Sequence, residues 1–208
     1  MKRTMRLAVV IAAGLLVLAG WTSLAQEFEI PEDLPVLVPP VFVTTCGQSP
    51  GALMVGLLLA QGGIPHEEID LLTADELLHQ CSEVMNEFTG GVLFVTTGTS
   101  LKGMGAAGVN VDSEISRCTA LIEAARERGM VIIVGQVEGA NRRVDEYDEA
   151  TITAMSPLAD LLITRTDANE DGYFTTLAEE NEIPQIFIED TIDLGVLFPL
   201  IFVMEEEG

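Results

Sequence analysis

From Val41 onward, short apolar runs alternate with amphipathic stretches. The runs are VFVTT (41–45), EIDLL (68–72), VLFVTT (92–97), VIIVGQV (131–137), LLITRT (161–166) and QIFIED (185–190). Most are continuously apolar instead of alternating, the pattern of strands covered on both faces. The segments between them carry helix punctuation. Ser49 and Pro50 read as an N-cap followed by proline at the first helical position, with Gly62 and Gly63 closing that helix. Thr73 and Glu76 have capping-box spacing, and behind them Leu77, Cys81, Val84, Met85 and Phe88 form one apolar stripe. Asp112 is placed to cap a helix bearing Ile115, Leu121, Ile122 and Ala125, which Gly129 ends. Two further helices, near 145–155 and 172–181, stop before Pro157 and Pro184.

The pattern is thus strand–helix five times over, then a sixth strand and a last apolar segment, LGVLFPLIFV (194–203). That segment is too short to span a bilayer and is expected to pack on the sheet. Right-handed crossovers then predict a single-domain α/β fold, a mostly parallel open sheet of about six strands with helices on both faces. The flavodoxin-like order 2-1-3-4-5-6 is preferred, and the other doubly wound, Rossmann-like order stays open. Residues 41–208 form this domain. Residues 26–40, which hold four of the nine prolines, read as an extended lead-in.

Residues 1–25 have a different character. A basic start (MKRTMR), an apolar core and the small-residue ending Ser23-Leu24-Ala25 predict a secretory signal peptide. Trp21 stands where a lipoprotein signal would have its lipidated cysteine. The expected product is exported, periplasmic or extracellular in a bacterium, and without stable membrane insertion once residues 1–25 are cleaved. The formal charge of the whole chain is −23, and losing Lys2, Arg3 and Arg6 would move it to about −26, a surface that repels nucleic acid and anionic lipid. The cysteines are Cys46, Cys81 and Cys118. With no CxxC and no Cys/His cluster, no metal site is expected, and the spacing leaves a Cys81–Cys118 bridge open.

In open parallel sheets ligands bind outside the carboxyl ends of the strands. After the first strand come Thr45, Cys46, Gln48 and Ser49; after the third, Ser100, Lys102 and Gly103; after the fourth, Glu138, Arg142 and Arg143; and Arg165 ends the fifth. Of the seven cationic side chains beyond residue 25, Lys102, Arg142, Arg143 and Arg165 fall on this one edge, and Lys102 is the only lysine among them. The other three, Arg117, Arg126 and Arg128, share one helix, where a solvated face accounts for them. Helix N-termini at Ser49 and Asp112 would add backbone N–H groups, completing a seat for an anion. The competing account is that these cations pair with neighbouring carboxylates such as Glu138, Asp145 and Asp167.

Gly103 to Gly108 spells GxGxxG, but it begins too far past the strand end, and Glu138 lies 35 residues beyond Gly103 instead of about 20. No dinucleotide and no other cofactor is predicted. A glycine-rich lid, or close backbone approach to a ligand, is expected there. Cys46, between a strand end and a helix start, is a weak candidate nucleophile because no base accompanies it: His66 precedes the second strand and His79 lies on a helix. Asp167, Asn169 and Asp171 alternate like part of a calcium loop, yet Ala178 stands where the closing glutamate is needed. Capping by Asp171 is the better account.

The blocks TTCGQSPGALM, GTSLKGMGAAGV and EGANRRVDEYD, with ADLLIT and DGYFTTLAEENEIP, resemble a family of exported bacterial proteins classed as a domain of unknown function, with a Rossmann-like or flavodoxin-like fold. The resemblance covers most of 41–190 and implies that the three strand-end loops belong together, while carrying no activity. From the residues themselves, the expected function is an exported binding protein for a small carboxylate- or phosphate-type anion. Lys102 and Arg142 or Arg143 would neutralise the ligand, and Thr45, Gln48, Ser49 and Ser100 would supply hydrogen bonds. A transporter or sensor is the partner such a binder would serve. The alternatives are a hydrolase or transferase using Cys46 or a bound water in the same cleft, and a non-catalytic assembly subunit; the oligomeric state is left open.

Overall fold

The computed structural model describes residues 28–84 and 90–204. The expected signal peptide, residues 1–25, and the Met85 and Phe88 positions of the apolar stripe lie outside the described residues.

Six strands, β1 (Val41–Cys46), β2 (His66–Glu68), β3 (Val92–Thr97), β4 (Val131–Gln136), β5 (Leu161–Arg165) and β6 (Gln185–Ile188), form one all-parallel sheet in the order β2-β1-β3-β4-β5-β6. This is the flavodoxin-like order. The neighbours β1 and β3 run in register from Val41 opposite Val92 to Cys46 opposite Thr97. Every residue of both strands is buried. The helices are α1 (Gly51–Gln61), α2 (Ala74–Val84), α3 (Leu101–Ala107), α4 (Val111–Glu127), α5 (Glu146–Met155), α6 (Tyr173–Asn181) and α7 (Leu194–Ile201).

Strand alternation divides the interior in two. Val43, Phe94, Ile133, Ile163 and Ile186 face α1 and α7, with Leu37 of the lead-in alongside. Phe42, Leu93, Val95, Ile132 and Leu162 face the layer made by α2, α4, α5 and α6. The terminal apolar segment packs on the sheet as expected. Phe198 of α7 meets Phe94 edge to face with ring centroids 6.2 Å apart, and each such fully buried aromatic contributes about 1.5–3 kcal/mol of transfer free energy.

Four local expectations need correction. The second strand is His66–Glu68, not 68–72, because Thr44 Oγ1 donates to the carbonyl of Asp70 and Leu72 N closes a turn on Ile69 O, which takes the chain out of the sheet. The first turn of α1 is not capped by Ser49: Pro50 occupies the N-cap without a side-chain bond. For α4 the cap is Asn110, not Asp112, in a reciprocal box with Ser113. The GxGxxG stretch is a helix. Ser100 accepts from Gly103 N at 3.1 Å, Met104 is buried, and Gly108 closes α3 in the left-handed region. The box at Thr73 is present as expected, with Glu76 accepting from Thr73 N and Oγ1.

Candidate functional site

The loops after β1, β3 and β4 converge at the carboxyl edge of the sheet. Gln48 and Thr99 form an antiparallel bridge, Ser100 N donates to Gly47 O at 2.8 Å, and Arg142 Nη1 donates to Thr99 O at 2.8 Å. The convergence depends on missing side chains. Gly98, at φ 109°, lies so near Arg142 that a Cβ there would come within 2.7 Å of the arginine Cβ. Gly103 is pressed against the carbonyl of Gln48, so its openness serves loop-on-loop packing within the chain.

The backbone donors of these loops are satisfied by carboxylates of the protein itself. Glu138 Oε1 accepts from Gly51 N, the first helical residue of α1, at 3.0 Å. Glu114 Oε2 accepts from Gly47 N at 3.1 Å and from Gln48 Nε2 at 2.8 Å. Asp148 Oδ1 accepts from both Thr99 N and Thr99 Oγ1 at 2.7 Å, and its Oδ2 from Val144 N. The donors of this loop edge are therefore largely taken up by the chain's own carboxylates. Thr45 and Ser49 are buried, their hydroxyls 3.4 Å apart, while Gln48 sits at φ 59° with its amide committed to Glu114 and Asp70 O.

The cations part company. Arg142, the last residue of a 3₁₀ turn over Gly139–Arg142, pairs through Nε with Glu138 at 3.0 Å and retains partial exposure. Its Nη2 has no hydrogen bond among the described residues. Arg143 turns the other way. It bridges Glu149 and Asp171 at 2.8 Å each and lies 5.4 Å from the ring centres of Tyr173 and Phe174. Glu149 and then Asp171 hold its guanidinium firmly protonated against its partial burial, and the hydrogen bond from Arg143 keeps Asp171 below the usual carboxylate range. Arg165 forks onto Asp167 at 3.1 Å, with Asp190 at 3.6 Å. Lys102 is exposed on the first turn of α3 and makes no ion pair among the described residues.

Arg117, expected on a solvated helix face, instead turns inward. Its Nε contacts Glu114 Oε1 at 2.9 Å, Nη1 donates to Leu72 O, and Nη2 donates to Thr45 O. The Glu114 side chain is 0% exposed. Burial opposes its ionisation, but the bonds from Arg117, Gln48 and Gly47 prevail and hold the carboxyl below its ordinary value. The same desolvation works against the Arg117 charge, and the Glu114 carboxylate outweighs it. Glu114, Arg117 and Asp148 were not among the expected site residues. Spacing contains the signal. Glu114 shares a helical face with Cys118, Leu121 and Ala125, and Asp148 with Ile152 and Met155.

Cys46 is wholly buried, its thiol pushed well up by the hydrogen bond with Cys118 and then by burial, so it stays protonated at neutral pH. All three cysteines are free thiols, which settles the Cys81–Cys118 alternative against a bridge. His66, paired with Val41 at the start of β1, sits at the opposite end of the sheet, and His79 is on α2. Asp171 accepts from Tyr173 N, and Asn169 Oδ1 from Phe174 N, at the start of α6. No metal-competent cluster occurs among the described residues. No helix among them is long and apolar enough to cross a membrane.

The chain matches the family described as Domain of unknown function (DUF6305) over residues 38–202 and belongs to it. No curated protein matches it. Similar solved structures include a GDSL-like lipase from Bacteroides thetaiotaomicron, 19% identical, covering 74% of this chain and 71% of that chain with a TM-score of 0.33. A psychrotrophic esterase from a Pseudoalteromonas species is 11% identical over 72% of this chain and 78% of that chain, with a TM-score of 0.35. An SGNH-hydrolase family esterase is 11% identical over 84% and 86%, with a TM-score of 0.32. The likeness is one of α/β architecture.

Proposed function

We propose that this chain is a binding protein for a small anion, and that the ligand seat is reduced to Arg142, Lys102 and Ser100 at the carboxyl edge of the sheet. The observation that carries the proposal is the uncommitted Nη2 of Arg142, held in place by bonds from Nε to Glu138 and Nη1 to Thr99 O. Thr99 is followed directly by Ser100, whose oxygen accepts from Gly103 N and whose proton remains to donate, and Lys102 lies two residues further on. A carboxylate or phosphate would meet a guanidinium, an ammonium and a hydroxyl. Arg143 and Arg165 take no part, being committed to their own carboxylates. With residues 1–25 read as a signal peptide, the binder works in the periplasm or outside the cell and serves a transporter or a sensor.

A hydrolase or transferase at this edge would need a base beside its nucleophile. Ser49 is buried against Thr45, Cys46 is held protonated in the core, and both histidines lie elsewhere. The two functions separate experimentally. Thermal-shift titration with phosphate and with citrate at constant ionic strength should stabilise the protein by about 2.7 kcal/mol at a hundredfold excess over Kd. The effect should vanish in Arg142→Ala and shrink in Lys102→Ala. A stabilisation unchanged in both variants would remove the seat. Hydrolysis of p-nitrophenyl acetate above the buffer rate, lost in Cys46→Ser or Ser49→Ala, would replace binding with catalysis.

A further inference from the structure

The sheet ends on β6, which has β5 on one side and no strand on the other. Leu162 N donates to Pro184 O, and Leu162 stands opposite Gln185. The ladder therefore takes its bonds from Pro184, Ile186 and Ile188, and the main-chain N–H and C=O of Gln185 and Phe187 point away from β5. No hydrogen bond to those main-chain groups occurs among the described residues. Open edges are ordinarily blunted by lysine, by proline within the strand or by a covering segment. Gln185-Ile186-Phe187-Ile188 has no charge and no proline, and what lies beside it is a groove of about 640 Å³. Helix α6 and its C-terminal turn form one wall, and residues 28–33 of the lead-in form the other. The lining is apolar at Phe28, Pro31, Ile183 and Phe187, and carboxylates stand around it at Glu29, Asp33, Glu179, Glu182 and Glu189. No Lys or Arg lines the groove, and none of the five carboxylates is in an ion pair among the described residues.

We propose that this groove docks an extended basic segment of a partner protein, which adds a strand to the sheet along β6. The outward groups of Gln185 and Phe187 hold the segment's main chain, its apolar side chains lie against Phe28 and Phe187, and its Lys or Arg side chains reach the carboxylates on either wall. The four residues of β6 match a segment of about 13 Å. Charge complementarity selects the partner, because five uncompensated carboxylates repel an acidic strand and attract a basic one. A second copy does not supply it. Beyond residue 25 no stretch of this chain is both basic and extended: Arg126 and Arg128 lie at the end of α4, and Arg142 and Arg143 at the end of a 3₁₀ turn. The other basic run, Lys2 to Arg6, belongs to the expected signal peptide. A metal ion fits less well, since no metal-competent cluster occurs among the described residues. The groove shares no residue with the anion seat and does not depend on it.

Fluorescence anisotropy of the purified chain with a labelled KVKVKV peptide at physiological ionic strength tests this. The expected result is saturable binding whose Kd rises at least tenfold in Glu179→Lys/Glu182→Lys. It should rise less than threefold in Glu123→Lys/Glu127→Lys, the same change of charge at exposed positions of α4. N-methylated peptides separate strand addition from plain attraction. Successive amides of a strand point to opposite sides, so methylating either the lysine or the valine amides should abolish binding in one case and spare it in the other. Phe187→Pro removes an outward N–H at a position where an edge strand tolerates proline, and it should weaken binding at least fivefold more than Phe187→Ala. Circular dichroism reports whether each variant is folded, and the methylated peptides probe the same bonds on the unaltered chain. Equal losses in the two charge variants, the same affinity from both methylated peptides, or no saturable binding would each overturn the proposal. So would self-association of the chain that Phe187→Pro abolishes, which would put a second copy in the groove.

Discussion

At the carboxyl edge of the sheet, Arg117 and Glu114 meet at 2.9 Å beneath an almost complete cover of other groups, whereas across α1 and α7 there is no charge at all and Leu57 and Leu200 face solvent. The two regions invert the usual placement. Charge is drawn in where the strand-end loops present unpaired backbone donors, because a carboxylate with three or four good hydrogen bonds tolerates burial. Apolar side chains stay out where the sheet needs only one stripe from each helix. The first arrangement serves the fold directly. The second adds little to the stability of one copy.

Removing Glu114 should break the first arrangement most severely. In Glu114→Ala, Arg117 is left as a buried cation without its partner, and Gly47 N loses its acceptor. Urea unfolding should show a loss of about 3–5 kcal/mol, the cost typical of halving a buried ion pair. The pair at Arg142 and Glu138 is more exposed, so Glu138→Gln should cost less.

Acid sharpens the same point. The Glu114 carboxyl is held below its ordinary value in the folded protein, so its contribution is fully present above the unfolded carboxyl pKa of about 4.3 and is lost as pH falls through the lower, folded value. Glu114→Gln resembles the protonated form. The stability gap between wild type and Glu114→Gln, from urea midpoints at pH 7, 5, 4 and 3, should therefore narrow as pH falls. A constant gap would show that the Glu114 carboxyl has the same pKa folded and unfolded, and a gap that widens as pH falls would show that it stays protonated in the folded state. Asp171 and Glu76 are shifted in the same direction but stand in solvent, where screening leaves little effect.

The smallest effect belongs to the other region. Leu53→Ser and Leu57→Ser each remove an outward apolar side chain, and in a dilute monomer each should change unfolding stability by no more than about 0.5 kcal/mol. A loss several times larger at concentrations too low for association would show that these leucines already pack within one copy.

How much could be read from the chain differs by level. Strand identity was legible at β1, β3, β4, β5 and β6, because continuous runs such as VLFVTT suit only strands buried on both faces. At β2 the cue failed: EIDLL is the more apolar run, yet the ladder uses HEE, since the hydroxyl of Thr44 bends the chain at Asp70. The glycines of GMGAAG suggested a mobile loop, but one serine cap and one buried methionine suffice to hold a helix. For the candidate site, the clustering of the β1, β3 and β4 loops was readable from strand order. What each arginine does there was not. Arg142 and Arg143 are neighbours in sequence and point to different carboxylates, and that choice depends on Glu149 and Asp171 arriving from α5 and from the start of α6.

Periodicity and punctuation by themselves determined the layered parallel sheet, the number of its strands and the charge-free composition of α1 and α7, because those follow from which positions are apolar and how they are spaced. Only the tertiary structure decided which charges are interior. Ion pairing depends on distance in space, and residues as far apart in sequence as Gly47 and Glu114 become partners only after β1 and α4 have been brought together by the core between them.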